Sequence, residues 1–356
     1  MSTIQVSDYT IYLGNVWEDL QVFLNERKYS KLFVLVDENT AKNCLPLLQA
    51  HLSEKEINII QIPSGEKNKH IGTCQHIWSE LMAGQADRQS LLLNLGGGVI
   101  GDMGGFCAST FKRGFDFIQM PTTLLSQVDA SIGGKLGIDF EQIKNSIGLF
   151  KNPKAVFLNP DFLKTLPLEE IRSGFAELIK HGLIDDKKEW ERIIQISALD
   201  KVDWLEFIIP SLAVKKRMVE ADPLEKGIRK ALNFGHTIGH AVEGFALETD
   251  KPLLHGEAIA IGMIAESYLS HKILGLPLEE LEKISNFLLK TYDPYSIEEM
   301  PHTDLLQLMQ QDKKNEHGLI NFSLIRTIGE VEVNQTCEVA LIIESLNYYN
   351  KKCAQQ

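Results

Sequence analysis

The sequence predicts two domains, an N-terminal α/β domain built on a parallel sheet and a mostly α-helical C-terminal domain. A chain of 356 residues is long for one compact core. Short apolar runs alternate with amphipathic stretches early in the chain, whereas beta-rich runs nearly stop after about residue 170. We therefore expect one domain at residues 1–170 and a second at 171–356.

Strands and helices alternate in the first domain, which predicts parallel strands. The segments are a strand at 31–37, a helix at 38–52, a strand at 57–62, a helix at 70–83, and strands at 91–95 and 115–120. Ligands of such sheets bind beyond the carboxyl ends of the strands. Asp37, the polar turn at 63–69 and the loop after the third strand would lie on that edge.

That loop, at residues 96–102, reads Gly-Gly-Gly-Val-Ile-Gly-Asp and contains the pattern G-x-G-x-x-G. It follows a predicted strand and opens a predicted helix, where glycines let backbone N–H groups approach a pyrophosphate. The alternative is a tight strand–helix turn without a ligand. The usual fingerprint occupies the first strand–helix unit, so this pattern predicts nucleotide binding through a variant of the Rossmann fold.

A second candidate loop ends in Gly133-Gly134-Lys135, after a strand, and could hold an anion with Lys135 as a point charge. Thr122 and Thr123 precede it, and capping of a helix is their more common role. Arg113 lies on a bend, where an arginine is by default a solvated charge.

The second domain is predicted from long amphipathic stretches. These cover 168–184, 187–196, 203–221, 230–246, 255–274, 278–291 and 302–311. A short beta pair at 320–324 and 330–333 follows, and the tail from residue 341 is either a final helix or frayed.

Within this domain, His236 and His240 are four residues apart, which places both imidazoles on one face of a helix. His255 follows a loop, and Glu177 lies upstream. The HxxxH spacing alone occurs more often by chance than in a metal site. Two histidines and one carboxylate with an open position, however, are a usual catalytic zinc set.

Composition narrows the class of protein. A formal net charge of −12 argues against nucleic acid as the main partner. No apolar run reaches the length of a membrane span, and the N-terminus lacks the regions of a signal peptide. Five cysteines form no CxxC pair, which is typical of a reducing compartment, so we expect a cytoplasmic protein. Lysines and arginines clustered along the acidic chain suit an acidic, phosphorylated substrate.

Five motifs together are recognisable. They occupy residues 96–102, 121–135, 174–180, 233–241 and 255–258. In this order the set resembles the 3-dehydroquinate synthase family, and the resemblance covers roughly residues 30–330. Sister families share any one motif, whereas the full set is specific.

The resemblance implies a carbon–oxygen lyase of the shikimate pathway. It would convert 3-deoxy-D-arabino-heptulosonate 7-phosphate to 3-dehydroquinate and phosphate, with NAD used catalytically and with zinc or cobalt bound. Glu177, His236 and His255 would be the metal ligands. His240 would then act on the substrate and in proton relay. Arg113 would reach into a neighbouring subunit, which implies a homodimer.

The resemblance also assigns two larger groups. Those placed around NAD are Asp37, Ser64, Gly65, Glu66, Lys67, Asn68, Lys69, Gly98, Val99, Ile100, Gly101, Asp102, Thr122, Thr123, Lys135, Lys144, Phe162, Leu163, Lys164 and Thr165. Those placed around the substrate are Asp129, Lys135, Lys180, Lys215, Arg229, Asn233, His240 and one of Lys313 and Lys314.

Three alternatives stay open at this point. A sister sugar-phosphate cyclase would form an inosose or a valiolone-type ring, but Lys215, Arg229, Asn233 and His240 together suit a substrate with a carboxylate. A metal-dependent polyol dehydrogenase of the glycerol-dehydrogenase type would release NADH and would not need so many cations near the metal. A catalytically dead regulatory relative is the third, and the intact ligand set argues against it.

Overall fold

A computed structural model describes residues 2–141, 143–310 and 319–355. The chain forms two compact units, Met1–Pro167 and Leu168–Gln356. Lys313 and Lys314, one of which the sequence assigns to the substrate, lie outside the described residues.

The first unit contains nine strands and five α-helices among its described residues. Its strands are β1 (Ser2–Val6), β2 (Tyr9–Leu13), β3 (Leu32–Asp37), β4 (Ile57–Ile62), β5 (Leu91–Gly96), β6 (Asp116–Pro121), β7 (Lys135–Phe140), β8 (Ile143–Phe150) and β9 (Ala155–Leu158). Its helices are α1 (Trp17–Arg27), α2 (Glu38–Asn43), α3 (Leu45–His51), α4 (Ile71–Ala83) and α5 (Gly98–Thr110).

Seven of these strands form one sheet in the order β1-β2-β9-β6-β5-β3-β4. Every neighbouring pair is parallel except β1 and β2. The chain runs from β3 outward to β4 and then returns to the other side of β3 as β5. This reversal defines a crevice beyond the carboxyl ends of β3 and β5, which is where open α/β sheets bind ligands.

The central strands are apolar because helices cover both faces of the sheet. In β5 all six residues are buried. One apolar layer contains side chains of α1 and α3, and the other contains side chains of α4 and α5. The predicted α/β fold class is therefore confirmed for this unit.

Two predictions for this unit were wrong in detail, and five of its strands were not predicted. The helix predicted at 38–52 is two helices, since the chain turns at Cys44 and the second helix begins at Leu45 with Pro46 in its first turn. The Gly-Gly-Lys loop follows the helical turn Ser126–Ala130 and leads into β7, rather than following a strand. The paired strands β7 and β8, and the sheet strands β1, β2 and β9, were not anticipated.

The second unit is mostly helical, which confirms the rest of the predicted fold class. Its helices are α6 (Leu168–Asp185), α7 (Lys187–Ile193), α8 (Leu205–Ala221), α9 (His236–Ala246), α10 (His255–Leu274), α11 (Leu278–Thr291), α12 (His302–Gln310) and α13 (Val339–Cys353). An antiparallel pair, β10 (Asn321–Thr327) and β11 (Glu330–Thr336), precedes the last helix. Helix α10 lies at the centre and packs against α6, α9, α11 and α13.

The start of α9 differs from the prediction of one helix over 230–246. A short 3-10 helix covers Ile228–Asn233, and α9 begins only at His236. The break occurs at Gly235, whose φ of 78° lies in the left-handed region. His236 and His240 are consequently on the first turns of a helix rather than within a longer one. Among the described residues no helix has the length and apolarity of a membrane span.

Candidate active site

Glu177 lies in the middle of α6, where packing against the helices around it leaves the side chain 0% exposed. A buried carboxylate requires partners, because its transfer from water is costly. Oε1 of Glu177 faces two imidazole nitrogens, Nε2 of His236 at 3.3 Å and Nε2 of His255 at 3.4 Å. Its other oxygen forms an ion pair with Lys180 on the next turn.

His236 is the first residue of α9, and its ring is oriented through its other nitrogen. Nδ1 lies 3.0 Å from the backbone oxygen of Phe234. Since a carbonyl can only accept, Nδ1 carries the hydrogen, and Nε2 of the neutral ring has a lone pair directed toward Glu177. Such a hydrogen bond fixes the tautomer of metal-binding histidines.

His255 begins α10, and contacts with α6 fix its backbone. The N–H of Gly256 donates to Oγ of Ser173 at 3.0 Å. An added Cβ on Gly256 would lie 2.0 Å from the backbone oxygen of Ser173, so the two helices approach closely here. Nδ1 of His255 lies 3.5 Å from the carboxylate of Glu243, which leaves Nε2 for Glu177. Glu243 is absent from the residues assigned by sequence.

One possible ligand atom from each of Glu177, His236 and His255 lies within 4.8 Å of the others. Two imidazole nitrogens and one carboxylate oxygen form a donor set that suits zinc or cobalt, with room for further ligands. Each histidine also has a partner on its other nitrogen, as metal-binding histidines do. The residues present therefore fit a divalent ion.

The pKa values of these groups show how strongly they interact. Burial alone would raise the pKa of Glu177, but Lys180 and His236 hold it well below its usual range. Burial, together with Lys180, lowers the pKa of His236 to about 3, so that ring is neutral. Burial opposes protonation of His255 too, yet Glu177 and Glu243 raise its pKa to about 9. A metal ion would displace the proton from His255, since a ligating nitrogen must be deprotonated.

His240, the other histidine of the HxxxH pattern, lies beside the two rings. Its ring centroid is 5.0 Å from that of His236 and 5.8 Å from that of His255. Among the described residues, His240 is not part of the possible metal-binding group of Glu177, His236 and His255. It is part of a second possible group, with Glu243 and His255. Its half-buried position suits a residue that exchanges protons with a bound molecule.

Three cationic candidates of this unit are buried. Lys180, Lys215 and Arg229 are 1%, 4% and 1% exposed. Arg229 is fixed by a hydrogen bond from its guanidinium to the backbone oxygen of Pro223 at 2.7 Å. The Asn233 amide donates to Glu225 at 3.1 Å, so it too is held in one orientation. Buried cations of this kind are rare without an anionic partner or ligand.

The first unit contains the candidate nucleotide site. Helix α5 begins at Gly98 directly after β5, and Gly97 at its N-cap has no side chain to satisfy the first N–H groups. The N–H of Gly101 donates to the backbone oxygen of the N-cap residue Gly97 at 3.0 Å. The N–H groups of Gly98, Val99 and Ile100 precede it on the crevice edge of the sheet. This is the backbone arrangement that binds phosphate groups.

Lys69 organises the polar turn beside this loop. It is 4% exposed, and its ammonium donates to Asp102 at 2.7 Å and to the Asn145 side chain at 2.6 Å. The backbone N–H of Asn145 donates to Asp139 at 2.6 Å, and the N–H of Asp139 donates to the backbone oxygen of Lys69 at 2.8 Å. Sequence reasoning missed Asn145, although it directly follows the candidate Lys144. The signal in the sequence was that Lys144 and Asn145 form an adjacent polar pair on β8.

Other predicted nucleotide residues on this edge already have local roles. The carboxylate of Asp37 caps α2 by accepting from the N–H of Thr40 at 2.8 Å. Ser64 donates through both its N–H and its hydroxyl to Glu38 at 2.8 Å. Gly65 adopts a φ of 96°, which opens the turn that contains Glu66, Lys67 and Asn68.

The threonines and the 162–165 segment were also assigned to NAD. Thr122 is buried, and Thr123 exchanges hydrogen bonds with Ser126 at the start of a helical turn, consistent with capping. Phe162 and Leu163 are core side chains of a 3-10 helix, so only their backbone is available to a ligand. The remaining two are at the surface, Lys164 paired with Asp161 and Thr165 bonded to the backbone of Phe162.

The last candidates of the first unit occupy its turns and its β7–β8 pair. Asp129 lies in the helical turn Ser126–Ala130, Lys135 begins β7, and Lys144 is near the start of β8. Arg113 is exposed at the end of a 3-10 turn, with a φ of 71°.

The fold and these residues define a class of protein. An α/β unit has a helix N-terminus of the kind that binds phosphate at the switch point of its sheet, and a helical unit has a Glu–His–His set that fits a metal ion. The sequence matches the family model for the 3-dehydroquinate synthase N-terminal domain over residues 59–173 and that for the C-terminal domain over residues 174–315. The chain belongs to the 3-dehydroquinate synthase family.

Individual relatives agree with this membership. The chain is 44% identical over 335 residues to a 3-dehydroquinate synthase of Parabacteroides distasonis, covering 94% of this chain and 95% of that protein. Among solved structures, 2-deoxy-scyllo-inosose synthase with carbaglucose-6-phosphate, NAD+ and Co2+ superposes with a TM-score of 0.85. That match has 22% identity and covers 98% of this chain and 99% of the other.

A second solved structure is 2-epi-5-epi-valiolone synthase from Streptomyces hygroscopicus subsp. jinggangensis 5008 with NAD+ and Zn2+ bound. Its TM-score is 0.83 with 23% identity, and the match covers 99% of each chain. At such identities the two structures show a shared fold, whereas the family is shown by the sequence matches.

Proposed function

We propose that this protein converts 3-deoxy-D-arabino-heptulosonate 7-phosphate to 3-dehydroquinate and phosphate, as a carbon–oxygen lyase. The observation that carries the proposal is the convergence of Glu177, His236 and His255 within 4.8 Å in a chain 44% identical to a 3-dehydroquinate synthase. In this proposal the second unit holds zinc or cobalt through these three residues, and the first unit holds NAD at the switch point of its sheet.

The two cofactors define what the protein itself must supply. A divalent ion held by Glu177, His236 and His255 would supply Lewis-acid chemistry toward a substrate hydroxyl. Bound NAD would supply hydride-transfer chemistry used catalytically, so NADH would not accumulate.

Buried cations of the second unit bind and orient the anionic substrate. Lys215 and Arg229, both buried, attract its carboxylate and phosphate more strongly than exposed side chains would. Asn233, fixed by Glu225, orients a substrate hydroxyl through its amide. Fixed orientation favours the elimination in which the substrate's own phosphate accepts the proton from carbon.

His240 and Lys180 control protons and charge beside the metal ligands. His240 is half-buried, so its ring can exchange a proton with bound substrate while phosphate departs. Lys180 holds Glu177 ionised through the buried ion pair, which keeps that carboxylate able to bind a cation. The sequence resemblance also assigns Asp129, Lys135 and one of Lys313 and Lys314 to the substrate, and Arg113 would act in the site of a second copy. A cytoplasmic homodimer belongs to this proposal.

The test follows phosphate release and nicotinamide absorbance together, using purified protein, NAD, cobalt and the heptulosonate phosphate. Phosphate release without net NADH supports the proposal. Steady NADH formation from glycerol without phosphate release would establish a polyol dehydrogenase instead. Turnover of a hexose or heptulose phosphate that lacks the carboxylate, in place of the heptulosonate, would establish a sister cyclase.

Metal dependence is tested in the same assay. Glu177→Ala and His255→Ala should lose both bound metal and phosphate release. His271→Ala is the matched control, because this histidine lies in the last turn of α10 and bonds the backbone of Leu276. Full activity after exhaustive chelation would contradict the mechanism.

A further inference from the structure

The N-terminus of α9 is held by a carboxylate from another helix. Gly235 occupies the N-cap and has no side chain, so it cannot satisfy the N–H groups of the first turn. Glu266 of α10 supplies the acceptors instead. Its Oε2 accepts from the N–H of Gly235 at 2.6 Å, and its Oε1 accepts from the N–H of Ile238 at 3.0 Å.

Glu266 is 0% exposed, and burial makes this arrangement costly to disturb. An ionised carboxylate in the interior is retained only where charge-assisted hydrogen bonds replace water. The positive end of the α9 dipole adds to that compensation. The carboxylate therefore fixes the backbone of α9 at two points, one on either side of His236.

Close packing of the two helices places Glu266 where it can do this. An added Cβ on Gly262 would lie 1.9 Å from the backbone oxygen of Gly235. Gly262 and Glu266 are one turn apart on the same face of α10. On that face, the missing side chain of Gly262 lets the backbone of Gly235 approach α10. One turn later, the carboxylate of Glu266 accepts from the N–H of Gly235.

The same short segment determines where the His236 ring points. Nδ1 of His236 donates to the backbone oxygen of Phe234, the residue before Gly235. A shift of Gly235 would move this acceptor together with the first residue of α9. Nε2 would then move away from Oε1 of Glu177, which lies at 3.3 Å.

We propose that Glu266 is a positioning residue for the metal site, acting through the N-terminus of α9 on the imidazole of His236. Glu266 acts on the backbone of α9, because its two carboxylate oxygens accept from the N–H groups of Gly235 and Ile238. The inference rests on the metal site of the proposed function. It adds a residue of α10, the helix that also carries His255, to the groups that determine metal affinity.

The test measures the dissociation constant for cobalt by competition with a chelator, and the visible absorption of the cobalt-loaded protein. Glu266→Ala should weaken cobalt binding about 10–100-fold, the usual effect of losing a group that orients a ligand. Glu266→Gln retains one acceptor oxygen but turns an NH2 toward a backbone N–H, so an intermediate loss is expected. Both variants should also shift the cobalt absorption bands, because the geometry at His236 changes.

Glu280→Gln is the matched control. Glu280 on α11 likewise accepts from a backbone N–H, that of Ile328 at 2.9 Å, and from the Thr327 hydroxyl at 2.8 Å. Those two partners belong to the β10–β11 hairpin and a third, Lys187, begins α7, so none of the three belongs to α9. This variant should lose stability without changing cobalt affinity. Equal losses of affinity in the Glu280 and Glu266 variants would overturn the inference, since general destabilisation would then explain both.

Two further outcomes separate the inference from the proposed function. If replacing Glu177 or His236 leaves cobalt binding as it is in wild type, the assignment of the metal site itself is wrong. If wild-type binds cobalt and Glu266→Ala binds it within twofold, only the role of Glu266 is wrong. Should neither variant fold, hydrogen exchange of the wild-type Ile238 amide decides: slower exchange with cobalt supports the coupling, and equal exchange overturns it.

Discussion

Lys180 forms an ion pair with Glu177 one turn away on α6, and the two side chains are only 1% and 0% exposed. Removing one partner of a buried pair leaves an uncompensated charge. The pair therefore links the stability of the metal-free protein to the carboxylate that we assign to the metal.

Lys180→Met should destabilise the metal-free protein by about 3–5 kcal/mol, since Glu177 loses its nearest cation. A bound cation would replace the missing charge, so cobalt should raise the unfolding free energy of the variant more than that of wild type. Urea unfolding with and without cobalt measures both effects. The control is Lys187→Met, which removes a largely exposed partner of Glu280 and should cost at most about 1 kcal/mol. Equal cobalt stabilisation of variant and wild type would contradict this explanation.

Glu243→Ala should weaken cobalt or zinc binding about 10–100-fold, because Nδ1 of His255 loses the carboxylate that orients it. Chelator competition measures the dissociation constant. Glu248→Gln serves as the control, since that carboxylate is exposed just beyond the end of α9. Unchanged affinity in Glu243→Ala would show that the 3.5 Å contact does not orient His255.

Lys69→Met should reduce both stability and NAD affinity. The ammonium holds Asp102 and Asn145 together beside the start of α5, so its loss should cost about 1.5–3 kcal/mol, typical of hydrogen bonds to charged groups. Urea unfolding and NAD titration measure the two effects. Lys154→Met, which breaks an exposed ion pair with Asp116, should change stability by at most about 1 kcal/mol. Normal NAD binding in Lys69→Met would separate this network from the nucleotide site.

Gly262→Ala should destabilise the protein by about 1–3 kcal/mol or more, since its Cβ would overlap the backbone oxygen of Gly235 at 1.9 Å. Gly244→Ala on α9 is the control. Its Cβ would meet only Leu308 side-chain atoms at 3.9 Å, so the better helix propensity of alanine should stabilise it by about 0.5–1 kcal/mol. Thermal unfolding compares the two. A tolerated alanine at 262 would mean that α9 and α10 separate readily.

Local pattern in the sequence determined most of the element types. The apolar run that became β3 is uninterrupted as far as Asp37 because helices cover both faces of the sheet, and such a run is visible without a structure. Amphipathic stretches replace apolar runs after about residue 170, and the two compact units divide between Pro167 and Leu168. The motif set was specific enough to predict the family, and the sequence matches confirm it.

Which distant residues contact one another was decided only by the tertiary structure. Sequence spacing joined His236 with His240, whereas folding directs His236 and His255 toward the same oxygen of Glu177. Glu243 and Glu266 could not be found from spacing, because their partners come from other parts of the fold. The start of α9 was also misplaced, since the close approach of α10 sets the break at Gly235. Local propensity acts over a few residues, whereas these contacts form only when distant segments pack together.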